Sequence, residues 1–134
     1  MRLIPALLLT LTLALPRPVW AEPEAVKQVI RDQIAAFQVD DFTTAFGYAT
    51  DKIQGLFGTP QNFGQMVQRG YPMVWRPTAL TFLSTKDHPG GVVQSIEVQD
   101  RKGRRYVLDY LVLDTDAGWR IDGVFLRPPS DVGV

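Results

Sequence analysis

The chain has 134 residues, 46% of them hydrophobic and 10% aromatic, enough for one modest core and too few for a multidomain machine. Lys plus Arg number 14 and Asp plus Glu 14, a balance without the basic excess that gripping nucleic-acid phosphates requires. With no cysteine and a single histidine, His88, there is no thiol nucleophile, disulfide, cysteine-ligated zinc or multi-histidine site, and neither metal nor cofactor is expected.

Residues 1–21 read as a cleavable secretory leader. Arg2 supplies the positive start, residues 3–15 form an apolar run, and Val19 and Ala21 place small residues at the two positions a signal peptidase reads. The run falls well short of the ~20 residues of a membrane-spanning helix, so cleavage after Ala21 and release to the periplasm or beyond are expected, with a retained anchor as the alternative. No cysteine exists for a lipid anchor. Loss of Arg2 and Arg17 leaves the mature chain slightly acidic. Residues 22–127 then form one domain, and the Pro- and Gly-containing stretch 128–134 is expected to fray.

From 23 to 38, Val26, Val29, Ile30, Ile34 and Phe37 recur at three- and four-residue steps, which predicts an amphipathic helix. Asp40 or Asp41 is placed to cap a second, short helix with Phe42, Ala45, Phe46 and Ala49 inward. A third helix begins at Thr59, carries Pro60 in its first position and Phe63, Met66 and Val67 inward, and stops at a left-handed Gly70. The segment 71–77, bracketed by Pro72 and Pro77, reads as a connector. Beyond it, β-branched and aromatic residues predict strands over 78–85, 92–101, 104–114 and 118–127, joined by short turns into an antiparallel meander. Three N-terminal helices packed on a four-stranded antiparallel sheet make an α+β domain.

This order, with Gly118-Trp119-Arg120-Ile121 near the end, resembles the nuclear-transport-factor-2-like, or cystatin-like, cone fold. The resemblance implies a curved sheet wrapped round the long helix, with a pocket at the open end, and dimers that pack sheet on sheet. Gln33 with Ala36-Phe37, Asp41, Ala45-Phe46, Phe63, Met66-Val67, Tyr71-Pro72 and the run 118–123 are similar to a bacterial exported family known as domain of unknown function 4864, which implies no activity.

Chemistry has few candidate places. In 106–113 both strand faces are apolar, interrupted by Asp109, so the face turned from the helices needs a cover: a second copy of the chain or an apolar ligand. Desolvation would raise the Asp109 pKa towards the range a general acid or base needs; the alternative is an ion pair or hydrogen bond to a neighbouring strand, for instance with Arg120 or Tyr106. Arg120 and Asp122 fall two apart and read as a solvated pair on one face, with Trp119, Ile121 and Phe125 as core on the other; Gly123 marks a close approach or a bulge. Tyr71, Trp75 and Arg76 suit a flat or anionic ligand at the pocket mouth, or plug the core there. Gln33 either points its amide into the pocket or satisfies a backbone group. Arg101, Lys102, Arg104 and Arg105 make a basic hairpin tip, solvated or meeting an acidic surface, and His88 sits in an exposed turn.

The preferred reading is a noncatalytic exported module that binds a small apolar or amphipathic ligand, or a protein partner, through Gln33, Tyr71, Trp75, Arg76 and Tyr110, and that dimerises through its sheet. The alternative is a small cofactor-free enzyme of isomerase, dehydratase or hydrolase type with Asp109 as acid or base.

Overall fold

The computed structural model of the protein describes residues 21–129. Residues 1–20 of the expected leader and residues 130–134 of the expected frayed tail lie outside the described residues. The elements are α1 (Ala21–Gln38), α2 (Phe42–Gly47), α3 (Asp51–Phe57), α4 (Pro60–Gly70), α5 (Pro72–Trp75), β1 (Ala79–His88), β2 (Gly91–Gln99), β3 (Arg105–Thr115) and β4 (Gly118–Leu126). The fold is α+β with a four-stranded antiparallel sheet in the order β1-β2-β3-β4, as the turn spacing implies, but it has five helices in place of the expected three.

In α1 the stripe of Val26, Ile30, Ile34 and Phe37 is buried against the sheet and the other helices. Asp41 caps α2: its carboxylate accepts the Thr44 amide at 3.1 Å and the Thr44 hydroxyl at 2.7 Å. Asp40 adopts the left-handed region (φ 56°) and turns to α5, accepting from Trp75 Nε1 at 2.8 Å and Arg76 Nη2 at 3.0 Å. α3 was not expected. Thr50 caps it by accepting the Ile53 amide, Asp51 complements its first turn, and Gly58 (φ 79°) closes it.

Thr59 caps α4 and Pro60 occupies its first turn, as the sequence predicts. Gly70 is the last residue of α4 but is not left-handed; the helix ends where the Tyr71 amide still reaches the Val67 carbonyl at 2.8 Å. Pro72 then opens the single turn α5 inside the expected connector, because a proline at the start of a helix lacks only an N–H that would have had no partner there.

On the helix-facing side of the sheet, Ile96 and Val98 of β2, Leu108, Tyr110 and Val112 of β3, and Ile121 of β4 are buried. Two irregularities shape this sheet. In β1 the register slips between Phe82 and Thr85, and Gln94, 0% exposed, fills the defect. Its amide donates to the carbonyls of Leu83 (3.3 Å), Ser84 (3.3 Å) and Ser95 (2.9 Å) and accepts the Thr85 hydroxyl.

In β4, Ile121 lies opposite Val112 and Gly123 opposite Leu111, so Asp122 is the extra residue of a bulge. The bulge inverts the side-chain alternation beyond it. Val124 therefore joins Tyr110 on the core side, while Phe125, expected as core, lies opposite Asp109 and is 60% exposed. The Arg120–Asp122 pair is likewise not formed: Asp122 accepts the Thr50 hydroxyl at 2.7 Å and Lys52 Nζ at 3.0 Å.

Gly91 leaves the β1–β2 turn against the β3 backbone; a Cβ there would stand 2.0 Å from the Val112 carbonyl oxygen. Backbone cannot move aside like a side chain, so Gly91→Ala should cost on the order of 1–3 kcal/mol, read as a lower denaturant midpoint with an unchanged slope.

Candidate functional site

A cavity of about 300 Å³ lies between α1, α3, α4 and the core side of the sheet beside β4. Phe37 and Gln33 of α1 bound it on one side, Ile53, Leu56 and Phe57 of α3 on another, and Phe63, Met66 and Val67 of α4 complete the helical wall. Tyr110, Ile121 and Val124 form the sheet wall. Leu56, 70% exposed, and Lys52 mark the mouth.

The lining is overwhelmingly apolar, and its polar groups are few. Gln33 donates to the Ala45 carbonyl at 3.2 Å, so it satisfies a backbone group while bordering the cavity. Tyr71 reaches across to donate to the Val124 carbonyl at 3.1 Å, pinning the edge strand β4 to the end of α4. At the mouth Lys52 and Asp122 neutralise each other. Burial opposes ionisation of Asp122, but the hydrogen bonds from Thr50 and Lys52 outweigh it and hold this carboxyl below its ordinary value.

Tyr110 is different. It is 0% exposed, and its hydroxyl has no hydrogen-bond partner, the one such buried side-chain atom among the described residues. Burial, with a smaller contribution from Tyr71, pushes its phenol well above the ordinary tyrosine range, so the group is neutral and keeps its proton at physiological pH.

The other candidate residues lie elsewhere. Trp75 and Arg76 do not border this cavity; they stand with Asp100, Arg104 and Tyr106 around a separate cleft of about 460 Å³. There the Arg76 guanidinium lies 4.3 Å from the centre of the Trp75 ring and donates to the Phe37 carbonyl and to Asp40, a strap that ties α5 to the end of α1. Of the basic hairpin tip, Arg104 is held by Asp100 at 2.9 Å and Arg105 lies 4.0 Å from Glu97, while Arg101 and Lys102 are exposed. His88, the last residue of β1, is exposed.

Asp109 lies on the opposite face of the sheet from Tyr110, in a row with Ser95 and Phe125. Arg127 clasps it with two bonds, Nε to Oδ2 at 2.9 Å and Nη2 to Oδ1 at 2.8 Å, and also donates to Ser95 Oγ at 3.0 Å, whose hydroxyl donates to Asp109 Oδ1 at 2.6 Å. Of the two readings of Asp109, an upward pKa shift or an ion pair, the first is not met. The Arg127 hydrogen bond, aided by Ser95, outweighs desolvation and holds the Asp109 carboxyl below its ordinary value. The ion-pair alternative is the one formed, with Arg127 in place of Arg120 or Tyr106.

Sequence reasoning missed Ile53, Leu56 and Phe57 because it missed α3. The cap residue Thr50 followed by Asp51, with apolar residues at three- and four-residue steps up to Phe57, was the available signal. No group of three or more His, Cys, Asp or Glu residues able to hold a metal occurs among the described residues, and no described helix is long and apolar enough to cross a membrane. No curated protein and no solved structure matches the chain. Over residues 20–134 the chain matches the family described as Domain of unknown function (DUF4864), and it belongs to that family.

Proposed function

We propose that the mature chain is an exported, noncatalytic module on a cone-like, nuclear-transport-factor-2-like frame that binds a small apolar or amphipathic molecule between α3, α4 and β4. The observation that carries this reading is the apolar cavity of about 300 Å³, bordered by Phe37, Ile53, Phe57, Phe63 and Val67 and reached past exposed Leu56. The enzyme alternative with Asp109 as acid or base gains no support here, since Asp109 is not among the lining residues and is engaged by Arg127 and Ser95. A homodimer through the outer sheet face belongs to the same proposal. It is supported by Phe125 standing exposed on the face that carries half-buried Val93, Leu111 and Leu113, and light scattering of Leu111→Asp, expected to be monomeric, checks it.

N-phenyl-1-naphthylamine, whose fluorescence rises in apolar surroundings, tests the cavity. The full chain is expected to bind it with saturation, and Val67→Phe, which fills the cavity from α4, should weaken binding by on the order of tenfold while Leu111→Asp leaves it unchanged. Binding that ignores Val67→Phe would place the probe elsewhere and overturn the reading.

A further inference from the structure

A fully buried, unpartnered hydroxyl in the lining specifies the ligand more narrowly than the apolar walls do. A buried hydroxyl without a partner forfeits hydrogen bonds that it had in water, and natural cores rarely leave one so. Tyr110 borders the cavity, is fully buried and has no partner for its hydroxyl. Tyr71, its phenolic neighbour, already spends its proton on the Val124 carbonyl, and Gln33 spends an amide proton on Ala45. Tyr110 O–H is thus the fully buried side-chain group of the lining that has no hydrogen bond at all.

Charge is absent from the deep end. Lys52 and Asp122, the charged residues of the lining, face each other at 3.0 Å at the mouth, so an ionised ligand group placed inside would be desolvated with no counter-charge. Met66, an unbranched and adaptable side chain, belongs to the α4 wall of the same cavity.

We propose that Tyr110 is a specificity-determining residue of this cavity, donating its hydroxyl proton to the carbonyl or ether oxygen of a neutral, otherwise apolar ligand. This rests on the cavity being a binding site, and the two claims fail separately. The preference for such an oxygen over an isosteric hydrocarbon follows because the hydrocarbon leaves the hydroxyl unpaired.

The test compares 2-acetylnaphthalene with 2-isopropenylnaphthalene, the same shape with CH₂ in place of the carbonyl oxygen, each displacing N-phenyl-1-naphthylamine from the full chain. The ketone is expected to bind about tenfold more tightly to the parent, and Tyr110→Phe should erase the difference by weakening the ketone alone. Thermal melting serves as the folding control: removing a hydroxyl that bonds to nothing should leave Tm unchanged or raise it. Equal affinity of the parent for both probes, or a preference that survives in Tyr110→Phe, overturns the role of Tyr110 and leaves the cavity standing as a site. Failure of both probes to displace the dye overturns this inference, while dye binding that ignores Val67→Phe overturns the binding site itself.

Discussion

Phe63→Ala is expected to cost about 3–5 kcal/mol of folding stability, the largest effect of any single substitution considered. Phe63 is 5% exposed at the centre of an aromatic cluster, 5.9 Å from Phe37, 5.4 Å from Phe46 and 5.7 Å from Phe57 by ring centroids. It therefore joins α1, α2, α3 and α4 through one ring, and its neighbours, each held on a different helix, have little freedom to collapse into the space. Because Phe63 also borders the cavity, the truncation enlarges the cavity as it weakens the fold. Guanidinium unfolding should show the midpoint falling with the slope preserved. Phe63→Leu, which keeps much of the volume, should lose markedly less. Equal losses would mean that the ring contacts, more than the filled space, hold the helices together.

Asp109→Asn is expected to destabilise the fold by about 1–3 kcal/mol at neutral pH, on the order of 5–15 °C in Tm. The substitution keeps the shape but removes the charge that Arg127 grips with two bonds, and an amide turns a donor towards a guanidinium that has none to accept it. The pH dependence has a definite sign. A carboxyl whose folded pKa lies below its ordinary 3.8 contributes stability that is complete above that value and is lost as pH falls through the lower folded value. Parent and variant should thus differ by a constant amount from neutrality down to about pH 5 and converge in stronger acid. A variant more stable than the parent at neutral pH would show Asp109 to be a strained acid, with its charge disfavoured in the fold.

Much of the frame was legible in the sequence because hydrophobic periodicity is local. Val26, Ile30, Ile34 and Phe37 announce α1, Phe63 and Val67 announce α4, and the turn residues between strands announce the antiparallel order. What escaped depended on register or on competing local signals. The bulge at Asp122 is one residue in a strand that otherwise alternates normally, yet it moves Phe125 from the core face to the outer face and frees Asp122 to meet Thr50 and Lys52. The partnership of Asp109 with Arg127 follows from the same shift, because only the strand register brings the end of β4 beside Ser95 and Asp109. α3 was hidden by Gly55 within it and by its shortness, although its cap at Thr50 was in view. Pro72 read as a break and acts as a helix start.

The lining of the candidate site was only partly legible. Gln33, Tyr71 and Tyr110 do border the cavity, whereas Trp75 and Arg76, equally aromatic and cationic, are drawn by Asp40 to a different cleft. A carboxylate two residues beyond the end of α1 decided that outcome, and its left-handed backbone conformation has no clear mark in the sequence.

The most direct test of the central claim is a methyl NMR titration of the Ile-, Leu-, Val- and Met-labelled protein with 2-acetylnaphthalene. A ligand between α3, α4 and β4 should shift the methyl signals of Ile53, Leu56, Met66, Val67 and Val124 and leave those of Val93, Leu111 and Leu113 on the opposite face in place. Shifts confined to Val93, Leu111 and Leu113, or none at saturating probe, would contradict a ligand site in this cavity.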